Sequence, residues 1–111
     1  MILRRGEVVL IRIGFHQTPG GKLRPALVLL DTGDSDFVAA PITSQSRNEQ
    51  FDLPLLEWRE AGLNVASTAR IHKLTVLAKG EIVRRVGALS NRDQDALMLI
   101  LRSAFCSGDL R

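Results

Sequence analysis

Short apolar runs separated by turn residues occupy the first half of the chain. The runs Glu7–Ile13 and Arg24–Leu30 predict two strands, and the Pro-Gly-Gly segment within Gly14–Gly21 predicts a long hairpin tip between them. Turn residues Asp31–Asp34 then lead into a third strand, Asp36–Ile42. Because Arg24–Leu30 is almost continuously apolar, we expect burial on both faces. The pattern is typical of a mainly β fold.

The second half of the chain continues with strands. A short strand is expected around Phe51–Leu55, and another over Glu81–Leu89. Between them, Val65–Leu77 alternates in polarity and predicts a further strand. Since alternate residues of a strand share a face, Arg70 and His72 are expected side by side on that strand.

The C-terminal segment has the pattern of an amphipathic helix. Apolar residues recur at helical spacing at Leu97, Ile100, Leu101, Ala104 and Phe105. Ser90 is expected to cap the helix with Asp93 three positions on, and Gly108 follows its end. Met98 and Leu99 widen the apolar arc, which leaves two interpretations open: a second contact surface, or a helix sunk deep in its own core.

Composition narrows the class of protein. The chain has 111 residues, enough for one domain, and its 15 Lys and Arg against 12 Asp and Glu permit a polyanionic partner without requiring one. The single cysteine, Cys106, cannot form an internal disulfide or a cysteine metal site, which favours a reduced, intracellular setting. No apolar run approaches the length of a membrane span, so we expect a cytoplasmic protein with no membrane contact.

Several kinds of site are absent from the sequence. It contains no phosphate-binding Walker loop, no dinucleotide glycine motif and no Cys/His spacing for zinc. The acidic residues fall mostly in turns, as do Asp31 and Asp34, or at the helix start, as do Asp93 and Asp95. We therefore expect neither a metal, nor a cofactor, nor a catalytic pair of carboxylates.

Polar groups instead collect where two strands begin or end. Pro25 is tolerated at the first residue of a strand, so Arg24 is held at a strand mouth. The third strand runs out into hydroxyl side chains at Thr43 and Ser44. A guanidinium group beside hydroxyl groups is suited to binding phosphate.

Five segments together resemble the PemK/MazF family of toxins. They are Gly6–Val9, Lys22–Val28, Pro41–Ser44, Ser67–Arg70 and Arg84–Ser90, in the family's order and spacing over nearly the whole chain. The resemblance implies a small SH3-like β-barrel with a C-terminal α-helix and a homodimer. It also implies a metal-independent endoribonuclease that cleaves single-stranded RNA and is neutralised by an antitoxin protein.

The resemblance also implies roles for individual residues. The two best-supported active-site positions of the family fall on Arg24 and Thr43. An arginine and an aspartate with acid and base roles in some members fall on Arg70 and His72, so histidine replaces aspartate here. Imidazole can itself act as acid or base near neutral pH. A loop histidine of some relatives corresponds to His16.

RNA binding is expected to involve a wider set of side chains. It comprises Lys22, His16, Ser44 and Gln45. Lys22, Arg24 and Arg70 would line a basic groove that an acidic segment of the antitoxin could occupy. Trp58 is expected to cover the barrel rather than to stack on bases.

Cleavage of RNA needs no metal in principle, because the 2′-OH is a built-in nucleophile. Arg24 would stabilise charge on the phosphate, Thr43 would position it, and His72 would accept the 2′ proton. Other interpretations remain open. Arg70 could pair with an acid on a neighbouring strand, and the whole domain could be a non-catalytic toxin resembling CcdB, a gyrase poison, or an RNA-binding barrel without activity.

Overall fold

The described part of the chain forms seven β-strands followed by one α-helix. The computed structural model describes residues 1–15 and 18–106, with only the backbone described for residues 14, 15 and 18–21. The elements are β1 (Glu7–Phe15), β2 (Thr18–Asp31), β3 (Asp36–Thr43), β4 (Asp52–Pro54), β5 (Thr68–Arg70), β6 (Thr75–Ala78), β7 (Ile82–Ala88) and α1 (Asn91–Phe105). The predicted mainly β class with a C-terminal helix is confirmed.

The strands form one antiparallel sheet in the order β4-β5-β3-β2-β1-β7, and β6 pairs with β3. The ladder of described strands does not close into a ring, although the fold is barrel-like. The expected long tip at Gly14–Gly21 is wrong in extent, because β1 continues to Phe15 and pairs there with Thr18 at the start of β2. His16 lies outside the described residues.

The predicted burial of the second strand on both faces is confirmed. Leu27 and Leu29 of β2 join one apolar cluster, with Val8 and Leu97 among its members. Ala26 and Val28 point to the other side and join a second cluster with Val9 and Phe37. Because neighbouring residues of a strand face opposite ways, a continuous apolar run supplies both clusters at once.

The predicted alternating strand over Val65–Leu77 is wrong, since a 3₁₀ turn at Ile71–Lys73 divides it into β5 and β6. Ile42 of β3 pairs with Ala69, so an unbroken strand would place His72 opposite Ala39. Ala39 instead pairs with Thr75, three residues later. The turn thus removes three residues from the ladder, and His72 is one of them.

A tight turn over residues 56–62 follows β4 and packs on β7. Gly62 has φ +86°, and a Cβ there would lie 2.0 Å from the carbonyl oxygen of Val86, so only glycine fits without displacing β7. The turn is fixed from the helix side by Asp93. Its fully buried carboxylate accepts hydrogen bonds from the N–H groups of Leu56 (3.1 Å) and Glu57 (2.9 Å).

Helix α1 begins as predicted and lies at the surface. The Ser90 hydroxyl accepts a hydrogen bond from the Asp93 N–H at 3.1 Å, which confirms the cap. Leu97 is fully buried, whereas Leu99 and Phe105 are each 65% exposed. The interpretation of a helix sunk deep in the core is therefore wrong, and an apolar surface remains uncovered. Gly108 lies outside the described residues.

Candidate functional site

Arg24 stands at an exposed position where β1 and β2 pair. In the register of these strands Ile11 lies opposite Arg24 and Leu10 lies opposite Pro25. The predicted start of the second strand at Arg24 is wrong, because β2 starts at Thr18. Among the described residues, Arg24 has no ion pair or side-chain hydrogen bond, so its guanidinium donors are free to bind an anion.

Thr43 ends β3, and the chain leaves the sheet directly after it. Its hydroxyl oxygen accepts a hydrogen bond from the N–H of Gln45 at 3.1 Å. This bond forms the turn that the sequence suggests for a threonine followed by polar residues. The hydroxyl proton of Thr43 remains available to a ligand oxygen.

Arg24 and Thr43 lie together on the boundary between two cavities. The first, here called the Arg24 cavity, has a volume of about 380 Å³, and the second has about 350 Å³. Both are lined by Arg24, Pro25, Ile42, Thr43 and Gln45. The predicted pairing of an arginine at one strand with a threonine at the next is thus present as one continuous surface.

The Arg24 cavity is lined by both apolar and polar residues. Its other lining residues are Leu10, Ser44, Gly62, Leu63, Asn64, Val65, Ser67, Arg84 and Val86. Ser44 and Gln45 were expected in an RNA-binding surface, and both line this cavity. None of its lining residues is a His, Asp, Glu or Lys, so the cavity offers cations and neutral hydrogen-bonding groups only.

Arg84 is a second cation of this cavity, which the sequence did not single out. Arg84 and Arg85 are adjacent in β7 and therefore face opposite sides of the strand. Arg85 pairs with Glu7 at 3.4 Å and donates to the carbonyl of Ile2, whereas Arg84 lines the Arg24 cavity. The sequence held a clue to this residue, since two adjacent arginines in a predicted strand must point to opposite faces. In the structure Arg84 lies opposite Leu10 and shares its face.

Arg70 and His72 are neighbours, but in a different cluster. Arg70 Nε lies 3.0 Å from Asp52 Oδ1, and its Nη2 lies 3.1 Å from Glu49 Oε1. His72 Nε2 lies 3.4 Å from Arg70 Nη2 and 3.5 Å from Glu49 Oε2. We call these four residues the Arg70 cluster. Arg70 stands opposite Asp52 in the register of β4 and β5, as expected if it pairs with an acid on a neighbouring strand.

Within the Arg70 cluster, the positive charge of Arg70 is paired with the carboxylates of Asp52 and Glu49. Burial alone would raise the pKa of Asp52, whose side chain is 1% exposed, but the N–H of Glu49 and the guanidinium of Arg70 bring it below its ordinary value. The hydrogen bond to Asp52 raises the pKa of Arg70. Arg70 is therefore held by protein carboxylates.

Neither Arg70 nor His72 lines the two cavities that Arg24 and Thr43 share. His72 lines a separate groove beside Phe51, Leu74 and Phe105. Lys22 is exposed on β2. The structure thus brings Arg24, Thr43, Ser44 and Gln45 together and sets Arg70 and His72 apart.

No group of three or more His, Cys, Asp and Glu side chains converges as a set of metal ligands within residues 1–15 and 18–106. In the same part of the chain, no helix has the length and apolar character to cross a membrane.

The fold is a barrel-like antiparallel sheet with a C-terminal helix, and comparison with known proteins gives the family. Residues 4–105 match the model of the PemK-like, MazF-like toxins of type II toxin–antitoxin systems. The chain belongs to this family. No curated protein is similar enough in sequence to match.

Solved structures share the fold at low sequence identity. The Mycobacterium tuberculosis toxin MazF-mt6 has a TM-score of 0.70 and 22% identity, over 90% of this chain and 96% of that one. An endoribonuclease in complex with its cognate antitoxin from a mycobacterial species has a TM-score of 0.74 and 16% identity, over 98% and 100%. A MazE–MazF structure from Deinococcus radiodurans has a TM-score of 0.75 and 19% identity, over 97% and 100%.

Proposed function

We propose that this toxin is an endoribonuclease that cleaves single-stranded RNA without a metal ion. One observation carries the proposal: Arg24, an exposed cation with no protein partner among the described residues, adjoins Thr43 between two cavities. Membership of a toxin family with endoribonucleases among its structural relatives supports this reading. A guanidinium group and a hydroxyl group that lie close together can each donate a hydrogen bond to an oxygen of the same phosphate.

The reaction uses the nucleophile that RNA carries. The 2′ oxygen attacks phosphorus and loses its proton to a base, the bond from phosphorus to the 5′ oxygen breaks, and that oxygen takes up a proton. Negative charge grows on the non-bridging oxygens, where Arg24 stabilises it and Thr43 donates a hydrogen bond. The products end in a 2′,3′-cyclic phosphate and a 5′-OH. DNA lacks the 2′-OH and is left intact.

The two arginines of the Arg24 cavity have different roles in this proposal. Arg24 contacts the cleaved phosphate, and Arg84, which lines the same cavity, binds a neighbouring phosphate of the same strand. His72 remains the proposed base and Arg70 its proposed partner, as the resemblance implies. Because both residues lie in the Arg70 cluster and not in the Arg24 cavity, the His72→Ala variant is the direct test of this role.

A type II toxin requires an antitoxin, and we propose that an acidic segment of it covers Arg24 and Arg84. The same cations would then serve RNA and inhibitor, so binding of the inhibitor would be partly electrostatic and weaker at high salt. We also propose a homodimer, whose contacts would cover apolar surface such as Leu99 and Phe105 on α1.

Incubation of the purified protein with a long RNA in excess EDTA tests the proposal. We expect discrete fragments whose ends carry a 2′,3′-cyclic phosphate and a 5′-OH, and no cleavage of DNA of the same sequence. Binding of RNA without cleavage would make the domain a non-catalytic member of the family. Absence of both binding and cleavage would point to a protein target.

A further inference from the structure

A third cavity adjoins the Arg24 cavity and contains the single tryptophan of the chain. Its volume is about 410 Å³, and we call it the Trp58 cavity. Ser44, Gln45 and Ser67 line both cavities, so the two form one continuous cleft. A strand of RNA whose phosphate lies at Arg24 therefore has direct access to Trp58.

The indole of Trp58 is held in place and still reaches the cavity. It is half-buried and packs against the apolar core, and Arg59 lies over the ring with its Cζ 4.4 Å from the centroid. Arg59 lines a different cavity together with Trp58 and is absent from the lining of the Trp58 cavity. A fixed aromatic surface at the edge of a polar cleft is the feature that nucleobases stack on.

The polar groups around the ring are complementary to a base edge. The side-chain oxygen of Gln45 accepts from Arg47 Nη2 at 2.7 Å, which leaves the Gln45 amide N–H groups to donate. The Ser67 hydroxyl donates to the Val65 carbonyl at 2.8 Å, which leaves its oxygen to accept. A donor and an acceptor beside an aromatic surface match the mixed edge that each RNA base presents.

We propose that the Trp58 cavity binds the nucleobase next to the cleaved phosphate, stacked on Trp58 and hydrogen-bonded to Gln45 and Ser67. The inference rests on the proposed cleavage of RNA. It assigns to Trp58 a role in substrate specificity in addition to the covering role expected from the sequence, because the ring contributes one part to the core and another to the cleft.

The single tryptophan allows a test that needs no mutation. A short single-stranded RNA with the mapped cleavage site, and with 2′-deoxyribose at the cleaved nucleotide to prevent reaction, is titrated into the wild-type protein while Trp58 fluorescence is followed. We expect saturable quenching. Removing the base next to the cleaved phosphate should weaken binding and abolish the quenching, and removing bases further away should leave the quenching intact.

Variants supply the second arm. Trp58→Leu should weaken binding of the intact RNA by about 5- to 150-fold, the range for loss of one stacked base, and should not weaken binding of the RNA that lacks the adjacent base. Trp58→Phe should retain most of the affinity. Val76→Ala, at an exposed apolar residue of β6 that lines neither cavity of the cleft, is the control and should leave every affinity unchanged.

The outcomes separate the two proposals. If RNA is cleaved but no base removal changes the quenching, or if Trp58→Leu weakens intact and abasic RNA equally, the base site is refuted and the nuclease stands. If RNA is bound without cleavage, homopolymers such as poly(U) and poly(A) replace the mapped site, and quenching by them supports the base site alone. If no RNA binds, both proposals fail.

Discussion

Replacement of Arg24 should remove activity and leave the fold unchanged. The side chain is exposed and, within the described part of the chain, has neither an ion pair nor a hydrogen bond to lose. Exposed substitutions without such contacts change the free energy of unfolding by about 0.5 kcal/mol or less. Arg24→Ala should therefore have nearly the denaturation curve of the wild type.

Under the proposed mechanism the loss of activity should be large, because Arg24 would stabilise the charge that develops on the phosphate. One donor to a developing oxyanion is worth about 10²- to 10³-fold in rate, or about 2.7–4 kcal/mol. Arg84 lines the same cavity, so phosphate binding should persist and the change should fall mainly on kcat. Arg24→Lys should recover only part of the rate, since an ammonium group cannot form the two-pronged contact of a guanidinium.

The assay is cleavage of a short fluorescent RNA under single-turnover conditions, with urea denaturation of each variant in parallel. Arg92→Ala, at an exposed arginine in the first turn of α1, removes the same charge away from the cleft and serves as the matched control. If Arg92→Ala slows cleavage as much as Arg24→Ala, or if Arg24→Lys has the full rate, Arg24 contributes only diffuse charge and its assigned role is refuted.

Four further outcomes are expected. Cleavage should persist in excess EDTA, and loss of activity that a divalent ion restores would refute the metal-free mechanism. His72→Ala should slow cleavage by about 10²- to 10⁴-fold if His72 is the base; an unchanged rate would assign the role elsewhere, with Arg70 and His16 next in line. Asp93→Ala should lower the free energy of unfolding by about 3 kcal/mol in urea denaturation, because the N–H groups of Leu56 and Glu57 both lose their acceptor; wild-type stability would contradict this contact. The pKa of Asp31 is lowered, chiefly by its hydrogen bond from Lys79. The stability that its ionised carboxylate supplies is therefore present above pH 3.8, the ordinary pKa of this group, and is lost as the pH falls below that value. Asp31→Asn should make the free energy of unfolding less dependent on pH in this acid range, as measured by urea denaturation.

The sequence predicted the elements whose pattern is local. The apolar run of β2 and the Ser90 cap each depend on residues close together in the chain, and each is present in the structure. Arg24 and Thr43 line the same two cavities, although β2 begins well before Arg24. Their roles stay predictions until the assays above are done.

The sequence did not predict the break between β5 and β6, and the reason is tertiary. Alternation continues through Ile71–Lys73 as it would in a strand, yet the chain turns there. β3 pairs on this side with β5 at Ile42 and with β6 at Ala39, and the three-residue shift between the two registers must be absorbed by a turn. The shift in register between β5 and β6, which both pair with β3, leaves no trace in the local sequence pattern.

Arg70 and Arg24 differ in their contacts because, in the described part of the chain, only Arg70 lies beside carboxylates. Asp52 is almost fully buried, and a buried carboxylate without a partner would be costly, so the fold holds Arg70 against it. Removing Arg70 would therefore destabilise the protein before it informed on catalysis, and a loss of activity in Arg70→Ala would not identify a catalytic residue. Arg24 meets no carboxylate among the described residues and is available to a ligand. Two arginines that the sequence places in one candidate site thus differ in their contacts, because only Arg70 is already paired within the described part of the chain.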